Sequence, residues 1–236
     1  MSIFSFFSYI LFPARCLCCQ KRTGNLYLCN FCRDHLPPLK EHICPLCQER
    51  KTRHGIVCMK CHGKSPLSGV YAGFSYQDPL LKKLIHTFKY TCIQSLSLPL
   101  AERLAKRIEM SAIPLPHYII PVPLHPLRYR WRGFNQAELL ANTLSQELLP
   151  FTPLKVHPHI LIRHRFTQSQ AKTSTHKQRK ANLKGAFSLH KKAPSLEGRT
   201  IWLVDDVSTT NSTLIEAARV LKKAGAKEIW GIVVAK

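Results

Sequence analysis

The chain has 236 residues, of which 45% are hydrophobic, enough for one ordinary domain with a proper core and a second small one. Its 35 Lys and Arg stand against 13 Asp and Glu, and the resulting net charge of +22 repels itself and attracts polyanions. That balance argues against basic partners and directs attention to nucleic acid and phosphorylated ligands.

The chain opens on "IFSFFSYILF", an apolar run of ten residues. This is well short of the roughly 20 needed to span a membrane. It has no basic stretch before it and no small-residue cleavage site after it, so a secretory signal is not expected. Residues 1–12 read as a short segment that packs on the body of the protein or touches a membrane surface. The expected location is the cytoplasm, with the inner face of the membrane as a variant.

Ten cysteines follow, and eight form C-x-x-C pairs: Cys16/Cys19, Cys29/Cys32, Cys44/Cys47 and Cys58/Cys61. Each such turn brings two thiolates to one ion, and a second turn completes a tetrahedron. Two structural zinc sites are expected within residues 13–64, a module too short to rely on burial alone. A disulfide framework needs an oxidising compartment, for which the sequence gives no sign. Sequential pairing puts Cys16, Cys19, Cys29 and Cys32 on one ion and Cys44, Cys47, Cys58 and Cys61 on the other. A cross-braced pairing is the alternative. Cys18 is a competing ligand, and Cys92 reads as a buried thiol.

From about residue 65 the pattern changes to alternating strands and helices. "VYAGFSY" reads as a strand, and "PLLKKLIHTFKY" as a helix with Leu80, Leu81, Leu84, Ile85 and Phe88 inward and its lysines outward. A second helix covers "LPLAERLAKRIEM", and "YIIPVP" is a buried strand stopped by prolines. An Arg-rich loop then leads to a helix capped by Asn135 with Glu138 three positions on, its inner face being Ala137, Leu140, Ala141, Leu144 and Leu148. "PHILIRHR" and "TIWLV" are further strands. A helix with Leu214, Ala217, Ala218, Leu221 and Ala224 on one face ends at Lys222, Lys223 and Gly225, and "EIWGIVVA" closes the series. Such units make a parallel sheet with helices on its faces, an α/β fold that binds ligands beyond the carboxyl ends of its strands.

The strand "TIWLV" delivers Asp205 and Asp206 to such an end. Ser208, Thr209, Thr210, Asn211, Ser212 and Thr213 come next, and then the helix. The first N–H groups of a helix lack intrahelical partners and carry partial positive charge, so a hydroxyl-rich turn there is a phosphate cradle. Two carboxylates beside it suit the hydroxyls of a ribose. A Mg²⁺ ion on the two acids is a second reading compatible with the first, and a ligand-free helix entry is a third.

"IWLVDDVSTTNSTL" resembles the phosphoribosyl-pyrophosphate motif of type I phosphoribosyltransferases. "PVPLHPLRYRWRGFNQAELLA" and "QRKANLKGAF" behind a double C-x-x-C module are similar to the ComF family of competence-associated proteins, GntX-like members included. The resemblance covers essentially the whole chain. It implies a phosphoribosyltransferase-like domain over residues 65–236, with Asp205 and Asp206 on the ribose and residues 208–213 on the 5-phosphate. A pyrophosphate-side loop falls at Pro121, Val122, Pro123 and Leu124, followed by Arg128, Arg130 and Arg132. A flexible basic loop falls at about 163–184 and includes Arg163, Arg165, Gln170, Lys172, Lys177, Arg179, Lys180, Asn182 and Lys184. The family usually has Gly where this chain has Asn211. Asn tolerates the left-handed conformation but adds a side chain, so Asn211→Gly is expected to tighten ligand binding.

No residue is assigned a catalytic role, because displacement of pyrophosphate from a sugar rests mainly on positioning and electrostatics. Between Glu147 and Glu197 there are ten Lys and Arg, five His and no acid, a stretch suited to a polyanionic backbone. Tyr129, Trp131, Phe134 and Phe166 lie among arginines, where aromatics either stack on single-strand bases or simply pack. The resemblance implies handling of incoming single-stranded DNA in natural transformation, with a helicase-like partner. Active phosphoribosyl transfer to a base or amine, and sensing of a ribosyl phosphate, are the two alternatives.

Overall fold

The computed structural model describes residues 14–24, 27–91, 93–149, 151, 154–166 and 183–236. The expectations for residues 1–12, for Cys92 and for Gln170, Lys172, Lys177, Arg179, Lys180 and Asn182 lie outside the described residues.

Four strands form a wholly parallel sheet: β3 (Gly69–Phe74), β4 (Tyr118–Pro121), β7 (Thr200–Val207) and β8 (Glu228–Ala235), in the order β3-β8-β7-β4. Successive side chains of a strand face opposite ways, and the two faces found different cores. Trp202, Val204, Trp230 and Ile232 join one cluster. It also takes in the helices α2 (Pro79–Tyr90), α3 (Ser97–Glu109) and α5 (Gln136–Leu148). Ile201, Leu203, Ile229 and Val233 join the other with Leu214, Ala217, Ala218 and Leu221 of α6 (Ser212–Lys223). The expected inner faces of α5 and α6 are thus the buried ones, with Leu148 and Ala224 partly covered at the edges.

Helix entries follow from the sequence. The Asp78 side chain caps α2 by accepting the Leu81 N–H at 2.8 Å, with Pro79 at the first turn. Asn135 caps α5 by accepting the Ala137 N–H at 3.1 Å.

Two expectations about elements change. The Arg-rich segment after β4 is not a loop: Pro126–Arg132 form a short helix, α4, capped by His125 and ended by Gly133 at φ 76°. The "PHILIRHR" strand does not join the parallel sheet. Its core, β5 (Leu161–Arg163), pairs antiparallel with β6 (Phe187–Leu189) in a separate hairpin.

The cysteine-rich part begins with the small ribbon β1 (Ala14–Arg15) and β2 (Arg22–Gly24) and the short helix α1 (Asn30–Asp34). Its first half docks on α3, where Arg33 pairs with Glu102. Its second half runs along the edge strand β3: Ile56 bridges Gly69, and the His42 imidazole bonds the Ala72 carbonyl at 3.1 Å. Gly55 (φ 77°) permits this approach, since a Cβ there would sit 1.9 Å from the Val70 oxygen.

Candidate functional site

The metal centres are assembled from sequential pairs. The sulfurs of Cys16, Cys19, Cys29 and Cys32 all lie within 4.8 Å of one another, and so do those of Cys44, Cys47, Cys58 and Cys61. A tetrahedron with Zn–S bonds of about 2.3 Å has S···S edges of about 3.8 Å. The Cys19–Cys29 and Cys47–Cys58 separations are 3.7 and 3.9 Å. These distances fit a zinc ion and are far too long for a disulfide. Backbone N–H groups of Cys29 and Cys58 point at the Cys16 and Cys44 sulfurs at 3.5 and 3.4 Å. Burial pushes the Cys16 thiol up, but the N–H groups of Cys29, Cys19 and Cys18 outweigh it and hold the group at about 6. In each set some thiols are pulled down and others, Cys29 and Cys61 among them, pushed up by burial and neighbouring sulfur, because four thiolates cannot coexist without a cation. The pairing is therefore sequential rather than cross-braced, and the exposed Cys18 belongs to neither set.

The two acids end β7 on opposite faces of the sheet and are not equivalent. Asp206 is buried with Trp202 and Val204 on its own side, and its Oδ1 meets the Lys89 ammonium at 2.9 Å. Burial works against the charged Lys89, but the charge and hydrogen bond of Asp206 together with the charge of Asp205 more than offset it and raise the lysine's pKa. Lys89 was expected to face solvent with the other lysines of α2, and here that expectation fails. It follows Phe88 and lies one turn beyond Ile85, so it flanks the buried stripe and reaches the strand end. Asp205 accepts the Asp206 N–H at 2.9 Å, and burial together with the charge of Asp206 pushes its carboxyl up to about 7.

The turn after them is closed largely on itself. Asn211 takes the left-handed conformation at φ 56°, ψ 5°. Its Oδ1 accepts the Ser208 hydroxyl at 2.8 Å, and the Thr210 and Ser212 hydroxyls bond each other at 3.0 Å. Of the five hydroxyl residues, Ser208, Thr210 and Ser212 are buried, Thr213 is half-buried and Thr209 is exposed. The Asn211 side chain, expected to intrude on the cradle, instead joins Ser208 of the turn to the cysteine-rich part. It is only 1% exposed and donates through Nδ2 to the Pro45 carbonyl at 3.0 Å.

The second loop is held against the first. Pro121 pairs with Val204 across β4 and β7, and the Val122 N–H donates to the Val204 carbonyl at 2.9 Å. The Asn135 amide donates to the Val122 carbonyl at 3.1 Å, which ties the start of α5 to Val122, Pro123 and Leu124. Thus Pro121–Leu124 and residues 205–213 form one mouth at the carboxyl ends of neighbouring strands.

Around that mouth, α4 carries the aromatic and basic residues. Tyr129, Trp131 and Phe166 are exposed. Arg128 lies 5.4 Å from the Phe166 ring centre, Arg132 lies 5.3 Å from that of Tyr90, and Tyr90 meets Trp131 at 5.9 Å. Arg132 also donates to the Gln136 side chain at 3.1 Å. Burial and the neighbouring Arg132 keep the Arg128 pKa below its ordinary value. Phe134 does not share this face. It is buried against Phe88, at 5.9 Å between ring centres, and belongs to the core.

Arg163 also departs from expectation. Its sequence position suggests a side chain that reaches a polyanion, but it is buried at the end of β5 over the Phe187 ring, at 5.4 Å. Burial brings its pKa down to about 10, against the pull of nearby Asp205. Its place is beside Asp205, whereas Arg165 and Lys184 are exposed. Lys89, Pro45 and Gln48 are the site neighbours that sequence reasoning missed.

A model of the phosphoribosyl transferase domain matches residues 91–236, and one of the double zinc ribbon domain matches residues 7–62. The fold and the strand-end site define a phosphoribosyltransferase-domain protein with an added zinc-ribbon module. Competence protein F of Haemophilus influenzae is 34% identical over 224 residues, 92% of this chain and 89% of that protein. DNA utilization protein YhgH of Escherichia coli K12 is 30% identical over 226 residues, 92% of this chain and 96% of that protein. Competence protein ComFC of Bacillus subtilis is 30% identical over 210 residues, 84% and 79% of the respective chains. The chain belongs to the competence protein F family. Among the described residues no helix is long and apolar enough to cross a membrane.

Proposed function

We propose that this protein handles single-stranded DNA during uptake, at the cytoplasmic side of the membrane and with a helicase-like partner, and that it binds a phosphoribosyl-pyrophosphate-type ligand at the strand-end mouth. The observation that carries the DNA reading is α4, where exposed Trp131 lies on the helix side of Arg128 and Arg132, Arg128 meets exposed Phe166, and exposed Tyr129 lies further round the helix. Flat rings on a cationic surface accept successive bases without regard to sequence, while the arginines meet phosphates. The names of the relatives, competence and DNA utilization, agree with it. The ligand reading rests on the left-handed turn at Asn211, the helix entry after it and the carboxylates before it. Asp205 and Asp206, the latter already held by Lys89, would line the ribose side, and a Mg²⁺ ion held by these acids would supply positive charge for the pyrophosphate; Pro121–Leu124 would face the pyrophosphate itself.

Binding of labelled oligo-dT across a salt series tests the DNA reading. The expected result is a steep fall in affinity with salt, lessened by charge reversal at Lys177, Arg179 and Lys180. Weak binding that does not respond to salt would overturn it. The phosphoribosyl transferase domain also favours a second reading, transfer of a phosphoribosyl group to a base or amine. Pyrophosphate release with nucleobase and amine acceptors tests it, and absence of release with all of them counts against turnover. If ligand is bound without turnover, the protein is a sensor of ribosyl phosphate, and Asp205→Asn should abolish the heat of binding.

A further inference from the structure

Two contacts join the second cysteine set directly to the turn after β7. The Asn211 amide donates to the carbonyl of Pro45, which lies between Cys44 and Cys47, at 3.0 Å. The Gln48 amide, next to Cys47, donates to the Thr210 carbonyl at 2.8 Å. Both partners are held in left-handed backbone, Gln48 at φ 56° and Asn211 at φ 56°. The Gln48 N–H also closes the cysteine turn on the Cys44 carbonyl at 3.0 Å. The metal-binding turn 44–48 and the turn 208–211 are therefore back to back, each buttressing the other.

This accounts for Asn211. Glycine would meet the backbone requirement at lower steric cost. It would also leave the buried Pro45 carbonyl without this donor and the Ser208 hydroxyl without this acceptor. Asparagine supplies the same backbone and both bonds.

We infer that Asn211 and Gln48 are positioning residues through which the Cys44/Cys47/Cys58/Cys61 metal centre sets the shape of the 208–213 loop, so that metal and a phosphate ester bind with mutual dependence. The inference rests on the phosphate-loop reading given above. Zinc fixes the Cys44–Cys47 turn and with it the direction of the Pro45 carbonyl and the Gln48 side chain. A loop so held is ready for the anion. Linkage is reciprocal, so an anion that needs the ordered loop must also retain the metal. The first cysteine set docks on α3 and has no such contact among the described residues, so it serves as a control within the same molecule.

The experiment uses the full-length protein with both centres loaded. Cadmium substituted for zinc gives one NMR resonance per centre, assigned through the cysteine Hβ protons, and ribose 5-phosphate is the probe. Addition of the probe should shift the Cys44-centre resonance and leave the Cys16-centre resonance in place. In the zinc protein the probe should slow metal release to a chelator from the same centre by about fivefold or more. Asn211→Gly and Gln48→Glu should each speed release from that centre without the probe and remove the probe's effect. Unchanged release in both variants, or equal acceleration from both centres, would overturn the inference. So would probe binding seen by calorimetry with no response at the Cys44 centre. If calorimetry shows no binding to the unaltered protein, the phosphate reading fails, and metal release from the two variants alone decides whether the tether exists.

Discussion

Lys89 of α2 and Asp206 of β7 form an ion pair of 2.9 Å beneath the strand-end mouth, with both side chains largely removed from solvent. The pair fixes the second acid of the motif to α2. Removing one partner strands the other, so Lys89→Met is expected to cost about 3–5 kcal/mol in denaturant unfolding. Lys89→Met combined with Asp206→Asn should cost less than Lys89→Met alone, because no unpaired charge remains. A double variant as unstable as the sum of the singles would show that the two residues act independently.

Asp205 carries the pH dependence of the site. Its folded pKa of about 7 lies above the ordinary carboxylate value, so the native state holds this proton more tightly than the unfolded chain does. The contribution to stability is fully present below about pH 4 and is lost as pH rises to about 7. Asp205→Asn removes the buried charge, and its gain over the unaltered protein should grow from pH 5 to pH 8, reaching on the order of 1–2 kcal/mol. Thermal melting of both proteins at the two values checks the sign.

Trp131 and Phe134 sit three residues apart and should behave oppositely. Trp131→Ala should weaken oligo-dT binding by about 1–3 kcal/mol without changing stability, since the ring is exposed and stacking is its expected role. Phe134→Ala should cost about 3–5 kcal/mol of stability with DNA affinity of the folded fraction unchanged. Paired melting and anisotropy measurements separate the two.

Metal analysis should return two zinc ions per chain, and Cys58→Ser should remove one of them. Chelation should melt the cysteine-rich part first, because metal binding and folding are the same process in such modules. Retention of both ions by Cys58→Ser would mean that the sets are not separate.

Sequence periodicity located the parallel sheet and its helices because their cores obey simple spacing. Leu81, Leu84, Ile85 and Phe88 are buried as the stripe requires, and Asn135 caps α5 as its position suggests. The cysteine sets were equally visible, since C-x-x-C spacing leaves few geometries. What stayed hidden was set by contacts between distant segments. Nothing near Lys89 reveals that Asp206 will lie opposite it, and Phe134 reads like Tyr129 until Phe88 is placed beside it. Pro126 to Arg132 looked like a loop because arginines obscure a short helix that buries nothing. Asn211 was conspicuous in the motif, but its partner is 166 residues earlier in the chain.

The order of the sheet also bears on how the protein is made. β8 follows β7 and α6 in the chain, yet it lies inside the sheet between β3 and β7. On the ribosome, β3 is made well before β8, its sheet neighbour among the described residues, so this pairing waits for the helices and strands between them. Each cysteine set, by contrast, is complete within a few dozen residues and can fold as soon as it meets its ion. Folding is thus local and metal-led in the cysteine sets, and deferred to the arrival of β8 in the sheet.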